Sequence, residues 1–138
     1  MITISVCMIV KDEEPVIRRC LSCVKSFADE IIVVDTGSND QTIEISREMG
    51  AYVYQIPWKD DFASARNYAF AKATKDYQFW LDADDVIDEA DQKKIIELKK
   101  ELDPAVDVVM MRYEMMHASE ETPIIFERER LLRRDQGF

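Results

Sequence analysis

Four times along this chain, a short and nearly continuous apolar run is followed by a segment with helical spacing. Uninterrupted apolar runs are typical of strands that are buried on both faces, as in parallel sheets. Strands that alternate with helices predict an α/β fold, with a mostly parallel central sheet flanked by helices. The predicted strands are 2–10, 31–34, 52–56, 77–81, 106–113 and, more weakly, 124–126, and the predicted helices cover about 15–27, 41–49, 62–73 and 88–102.

The length and charge of the chain narrow the class of protein. A chain of 138 residues predicts one domain, 1–138. A net charge of −10 argues against binding to nucleic acid or to an anionic membrane surface. The 3 glycines exclude a Gly-rich phosphate loop, and GxGxxG is absent. The chain shows no signal peptide and no run long enough to span a membrane, so we expect a cytoplasmic protein, including one peripheral to the inner face of the membrane.

The three cysteines are expected to belong to the core. Cys20 and Cys23 form a CxxC pair, which on its own would suggest a redox or zinc site. The sequence has no second such pair, and its one histidine, His117, lies far along the chain. An odd and small number of cysteines also argues against a disulfide-stabilised secreted domain.

Three predicted strands end in polar clusters, at 11–14, 35–38 and 82–85. Open parallel sheets bind ligands beyond the carboxyl ends of their strands, where the strand order reverses. We therefore expect these clusters to share one edge of the sheet. In the last cluster, Asp82, Asp84 and Asp85 repel one another, and Mg²⁺ or Mn²⁺ would offset that repulsion while bridging to phosphate. The alternative is a solvated turn, with Asp85 or Asp88 capping the next helix.

Other candidate residues also allow two interpretations. Asp35 could contact a ligand or accept hydrogen bonds from its own turn, and Thr36 could simply cap a helix. Arg66 could bind a diphosphate or form a surface ion pair with Asp60 or Asp61. The acidic run that contains Glu13 could reflect only the preference of helix N-termini for negative charge.

Four segments together resemble the nucleotide-sugar-dependent glycosyltransferases of family 2, which have the GT-A fold. The segments are ISVCMIVKDEE (4–14), IIVVDTGSNDQT (31–42), ARN (65–67) and FWLDADD (79–85). They occur in the order and at the approximate spacing of the family. The resemblance covers residues 2 to about 100 and implies the Rossmann-like, nucleotide-binding half of that fold.

The resemblance also implies roles for individual residues. The DxD motif of the family corresponds to Asp82 and Asp84: Asp84 would bind the metal at the donor diphosphate, and Asp82 would face the donor ribose or sugar. Asp35 would contact the base or ribose, with Thr36 beside it. Lys11 and Glu13 would line the nucleoside pocket, and Arg66 would lie near the nucleotide. The cofactor would be Mn²⁺ or Mg²⁺, and a UDP-sugar is the favoured donor.

The chain departs from the family pattern in two respects. Many members have two acidic residues where this chain has Asp35 and Thr36, and many have Pro and Tyr where it has Ile9 and Lys11. No catalytic base can be matched within 1–138, so we expect the base beyond Phe138 and the chain to be the donor-binding part of a longer enzyme. The family mechanism implies inversion by a single displacement, in which a carboxylate base activates an acceptor hydroxyl. The acceptor could be a glycan, a lipid, a peptide or a small molecule.

Three other functions fit parts of the sequence. The DADDV segment matches the first motif of haloacid-dehalogenase-type phosphatases, with Asp82 as nucleophile and Asp84 as acid or base. That motif usually opens its domain, whereas here four elements precede it. A sugar nucleotidyltransferase would normally have a basic, Gly-rich first loop, and the loop here is acidic. A binding module that holds a nucleotide or a metal without catalysis remains a third alternative.

Overall fold

The computed structural model describes residues 1–106, 108–115 and 124–133. In these residues, four strands and four helices alternate until the end of α4, after which two further strands follow. The strands are β1 (Ile4–Val10), β2 (Glu30–Asp35), β3 (Tyr52–Gln55), β4 (Tyr77–Trp80), β5 (Val108–Met115) and β6 (Ile124–Arg133). The helices are α1 (Glu14–Val24), α2 (Thr42–Glu48), α3 (Phe62–Lys72) and α4 (Glu89–Glu101). The predicted α/β fold is confirmed.

All six strands form one sheet with the order β3-β2-β1-β4-β6-β5. β1 lies in the middle of the parallel part, pairing with β2 on one side and with β4 on the other. β3 continues the parallel part beyond β2, whereas β6 runs antiparallel to both β4 and β5. The chain therefore builds outward from β1 to β3 and then returns to the other side of β1 with β4. This reversal puts the topological switch point between β1 and β4.

Helices cover both faces of the sheet, because the strands of the parallel part carry apolar side chains on both sides. One face packs against α1, α2 and α4 around a core that includes Val6, Leu21 and Ile95. The other face packs against α3 through a smaller core that includes Cys7, Val34 and Ala69. Different helices therefore cover the two faces of the sheet.

The end of the chain differs from the expectation. The predicted sixth strand, 124–126, is a ten-residue strand, and β5 begins at Val108 rather than at residue 106. Residues 127–130 are all charged, which disfavours a strand by composition alone. Backbone pairing with β5 from Ile124 to Leu132, with one irregularity between Val109 and Met110, overrides that local preference. His117 lies outside the described residues.

The cysteines and the helices agree with the remaining expectations. Cys7 and Cys20 are buried, Cys23 is half-buried, and all three are free thiols. Burial raises the pKa of the Cys7 and Cys20 thiols to about 12. Within the described ranges, every helix is too short or too polar to cross a bilayer.

Candidate functional site

The three predicted polar clusters lie at one edge of the sheet. β1, β2 and β4 are parallel neighbours, so their carboxyl ends point the same way. Val10 pairs with Asp35 at the end of β2, and Cys7 pairs with Trp80 at the end of β4. We call this edge the rim: the segments 11–14, 35–38 and 82–85. The rim spans the switch point between β1 and β4, where a ligand site is expected.

Asp82, Asp84 and Asp85 form a compact acidic cluster on the rim. Each can present a carboxylate oxygen within 4.8 Å of the oxygens of the other two. The backbone closes on itself here, because the Asp85 carboxylate accepts a hydrogen bond from the Asp82 amide (2.9 Å) and the Asp85 amide donates to the Asp82 carbonyl (3.0 Å). Asp84 is exposed, and the other two are half-buried. Three hard anionic oxygens at this spacing fit Mg²⁺ or Mn²⁺.

The capping role suggested as the alternative belongs to Asp88. Its side chain accepts a hydrogen bond from the Asp91 amide (2.8 Å), which caps α4. Asp85 instead bonds back to Asp82. A capped helix and an acidic cluster therefore coexist in this loop, and neither arrangement excludes the other.

Two side chains of helix α1 form hydrogen bonds to the backbone of the acidic cluster. The Cys20 thiol donates to the Asp82 carbonyl (3.5 Å), and the Arg19 guanidinium donates to the Asp84 carbonyl (3.4 Å). Both contacts are made to backbone carbonyls, so neither involves the Asp84 carboxylate. The helical spacing of Cys20 predicted its burial but gave no signal of this contact, which depends on how α1 packs against β4.

The pKa of Glu13 reflects the negative charge of the rim. Its pKa is raised, first by burial and then by repulsion from Asp84, Asp40, Asp82 and Asp12. The loop after β1 therefore faces the acidic cluster closely enough for their charges to interact. The rim concentrates negative charge with a single lysine, Lys11, which is exposed. A bound cation would relieve this repulsion.

Hydrogen bonds join the loop after β1 to the loop after β2. The Asp12 amide donates to Ser38 Oγ (2.8 Å), and the Glu13 amide donates to Thr42 Oγ1 (2.9 Å). In return, Asp12 Oδ1 accepts from the Asn39 amide (2.6 Å). Asp12 has a left-handed backbone, with φ of 52°. These contacts fix the position of Glu13 on the rim, and the capping residue types between 36 and 42 were the only sequence signal for them.

Asp35 fulfils one of its two predicted roles and leaves an oxygen for the other. It is 1% exposed, and its Oδ1 accepts hydrogen bonds from the Gly37 and Ser38 amides (2.9 and 2.8 Å). Its Oδ2 is buried without a hydrogen-bond partner among the described residues. A buried carboxylate oxygen without a donor is costly, and a ligand donor would satisfy it. Thr36 is also buried, and its hydroxyl donates to the Val10 carbonyl (3.3 Å).

Arg66 reaches the rim from the opposite face of the sheet. Its guanidinium carbon lies 4.4 Å from the centroid of the Trp80 ring and 5.5 Å from that of Phe70. The expected alternative, an ion pair with Asp60 or Asp61, is not formed: Asp60 accepts from the Trp58 indole, and Asp61 caps α3. Arg66, Trp80 and Asp82 line a cavity of about 20 Å³. Because that volume holds about one water molecule, a larger ligand would lie across its mouth.

Comparison with known sequences gives a consistent family. The family model described as "Glycosyl transferase family 2" matches residues 5–137. Glycosyltransferase SunS of Bacillus subtilis is 32% identical over 114 residues, which are 80% of this chain and 27% of that protein. A TPR repeat-containing protein of Synechococcus elongatus is 51% identical over 85 residues, 62% of this chain and 21% of that protein. These matches do not favour the phosphatase alternative.

Solved structures that share the fold include two examples from different bacteria. Staphylococcus aureus TarS superimposes with a TM-score of 0.60 at 25% identity, covering 72% of this chain and 32% of that one. Glucosyl-3-phosphoglycerate synthase of Mycobacterium tuberculosis, in complex with Mn²⁺, UDP and glucosyl-3-phosphoglycerate, gives a TM-score of 0.53 at 26% identity over 59% of this chain and 33% of that one. The chain thus spans about a fifth to a third of the length of the proteins compared here.

Proposed function

This chain belongs to glycosyl transferase family 2, and on that premise we propose that it binds a nucleotide diphosphate sugar whose sugar is transferred to an acceptor hydroxyl. The acidic cluster carries this proposal. Three carboxylates converge at the switch point of a sheet in which β1, β2 and β4 run parallel. A diphosphate is itself anionic, so it can occupy an acidic rim only with a cation between the two.

The cation is proposed to be Mn²⁺ or Mg²⁺, held by Asp84 and Asp82. When bound, it would supply Lewis acidity and a template for the leaving diphosphate. The glucosyl-3-phosphoglycerate synthase structures that resemble this chain contain UDP with Mn²⁺ or with Mg²⁺. This supports the choice of cation and favours UDP-sugars as the donor class.

The nucleoside is proposed to lie over the loops after β1 and β2. The unpaired Oδ2 of Asp35 would accept a hydrogen bond from the base or ribose. Lys11, Glu13 and Thr36 would line the same region. On the other face of the sheet, the planar Arg66 guanidinium would contact the diphosphate, for which its geometry is suited.

The transfer is proposed to invert the anomeric centre in a single displacement. A carboxylate base would accept the proton of the acceptor hydroxyl as its oxygen attacks the anomeric carbon, and the nucleotide diphosphate would leave. The residues of this chain would hold the donor and orient its diphosphate. A glycan, a lipid or a peptide would each provide a suitable hydroxyl.

Calorimetric titration with UDP and with GDP, each with and without Mn²⁺, tests the proposal directly. We expect nucleotide binding that requires Mn²⁺ and is lost in Asp84→Asn, because the exposed carboxylate is a ligand. Asp91→Asn is the matched control, since Asp91 is also exposed and follows the same loop but pairs with Lys94. Equal UDP affinity in Asp84→Asn and the unmodified chain would overturn the site assignment. Metal-dependent binding without donor hydrolysis or transfer would favour the non-catalytic alternative.

A further inference from the structure

The contact between Arg66 and Trp80 joins two elements that carry different parts of the rim. Trp80 is the last residue of β4, two positions before Asp82, and Arg66 lies in the second turn of α3. The guanidinium carbon lies 4.4 Å from the centre of the Trp80 ring. Phe70, one turn further along α3, provides a second ring at 5.5 Å. Two aromatic rings therefore restrict where the guanidinium can lie.

This arrangement leaves the polar edge of the arginine available. Within the described part of the chain, the Arg66 guanidinium makes no hydrogen bond and no ion pair; its partners are the ring faces. A guanidinium has five N–H donors in its own plane, and contact with an aromatic face uses none of them. The cation is thus held in place while its capacity to bind an anion is preserved.

The position of Arg66 beside the rim indicates which anion its guanidinium could bind. Arg66, Trp80 and Asp82 line the same small cavity, with Phe62 of the first turn of α3 on its wall. Asp82 belongs to the proposed cation site, so an anion bridged by that cation would come to the mouth of this cavity. A long side chain without a fixed position would lose rotamer entropy on binding such an anion, and prior fixation lowers that cost.

We propose that Trp80 is a positioning residue, which holds the Arg66 guanidinium ready for the diphosphate of the nucleotide. The inference rests on the proposed function, since it needs a diphosphate at the rim. It assigns to Trp80 a role in affinity that does not depend on direct contact between the indole and the nucleotide.

The test is a double-mutant cycle on UDP affinity in the presence of Mn²⁺. The variants are Trp80→Leu, Trp80→Phe, Arg66→Ala and the double variant Trp80→Leu/Arg66→Ala. We expect Trp80→Leu to weaken UDP binding roughly three- to thirtyfold, the range that a cation–π contact accounts for. Trp80→Phe keeps an aromatic face and should retain most of the affinity. In the Arg66→Ala background, Trp80→Leu should cause no further loss.

The chain offers a matched control on the same helix. Lys72, in the last turn of α3, lies over Tyr54 and Tyr68 at 5.1 and 5.2 Å. Tyr68→Leu removes one face of this second cation–π contact while Arg66 and its two rings stay in place. It should leave UDP affinity unchanged, and thermal unfolding of all variants monitors the fold.

The possible outcomes distinguish a failure of the inference about Trp80 from a failure of the proposed function. An equal loss from Trp80→Leu with and without Arg66 would mean that Trp80 acts independently of Arg66, through the fold or by direct contact with the nucleotide, and the inference would be wrong. An unchanged affinity in Trp80→Leu would also overturn it, while the proposed function would stand. Absence of any UDP or GDP binding by the unmodified chain would instead contradict the proposed function, and the inference would fall with it.

Discussion

The Cys20 thiol of α1 donates a hydrogen bond to the backbone carbonyl of Asp82, the first residue of the acidic cluster, at 3.5 Å. Cys20 is completely buried, so this contact lies between the core and the rim. The acidic loop is therefore supported by a side chain whose spacing suggested only a core position. A cysteine in this place links the packing of α1 to the geometry of the candidate cation site.

Cys20→Ala should lower both stability and metal-dependent affinity. The change removes a buried sulfur and the donor to Asp82, for an expected loss of about 1–2 kcal/mol in the free energy of unfolding. Urea unfolding and UDP titration with Mn²⁺ measure the two effects. Cys23→Ala is the control, because Cys23 is half-buried on the same helix. If both variants matched the unmodified chain in nucleotide affinity, the support of the loop by Cys20 would be without functional effect.

Glu13→Gln should stabilise the chain at neutral pH and have no such effect in acid. The pKa of Glu13 is raised by burial and by the neighbouring carboxylates, so the folded state favours the protonated form. Its ionisation therefore costs stability as the pH rises through that raised pKa, and the cost is absent below the ordinary value of 4.5. Because Glu13 is partly exposed, we expect a gain of less than about 1 kcal/mol.

Melting temperatures at pH 7 and pH 4, with Glu44→Gln as an exposed control on α2, measure this difference. The stabilisation should also shrink when Mn²⁺ is added, because a cation at the acidic cluster offsets the same repulsion. A gain of equal size at both pH values would show that the charge of Glu13 is not its cause.

Asp35→Asn should preserve the turn and weaken nucleotide binding. An asparagine Oδ1 can accept the same bonds from Gly37 and Ser38, so the melting temperature should change little. The amide nitrogen would replace the unpaired Oδ2 with a donor, which cannot accept a hydrogen bond from the nucleoside. We expect a roughly 10- to 100-fold loss of UDP affinity, the equivalent of one hydrogen bond to a charged group. Unchanged affinity in a folded variant would place the nucleoside elsewhere.

Lys99→Met should destabilise the chain without affecting the rim. Lys99 is 8% exposed, and its ammonium donates to Asp29 Oδ2 (2.7 Å) and to the Phe27 carbonyl (2.8 Å). The same Asp29 oxygen accepts from the Ile4 amide at the start of β1, at the end of the sheet away from the rim. Removing the ammonium leaves the Phe27 carbonyl and the partly accessible Asp29 carboxylate without that donor, for a loss of about 1–3 kcal/mol.

Chemical denaturation and UDP titration of Lys99→Met separate these two properties. A lower midpoint with an unaltered dissociation constant is expected. Asp29→Asn, which retains an acceptor for the ammonium, should lose less stability. A large change in nucleotide affinity would mean that this end of the sheet is coupled to the rim.

The parallel half of the fold was predictable because its signals are local. Uninterrupted apolar runs marked β1, β2 and β4, and the capping residue types after them marked the loops of the rim. Parallel pairing then places those loops together without any knowledge of side-chain contacts. For the same reason, the acidic cluster could be located before the structure was known. The family, too, was identified from segments in this half, and the family match confirms it.

The contacts that were missed depend on packing between distant segments. The Arg66–Trp80 stack needs α3 and β4 at a particular separation, which no spacing within either element encodes. Asp35 has one hydrogen-bonded and one unpaired carboxylate oxygen, and this difference likewise depends on the three-dimensional structure of the turn. The length of β6 was hidden by a run of charged residues, whose backbone pairs with β5 regardless of their polarity.

The position of β4 beside β1 also bears on how the site forms during folding. β1, β2 and β3 come together through successive units whose partners are near in sequence, whereas Ile4 pairs with Tyr77 far along the chain. Closing that long loop costs more chain entropy and favours late formation. The acidic cluster obtains its neighbours from α1 only when this closure is complete. Cation binding at the rim would therefore report the pairing of β4 with β1, and a chain in which that pairing has not formed would lack the site.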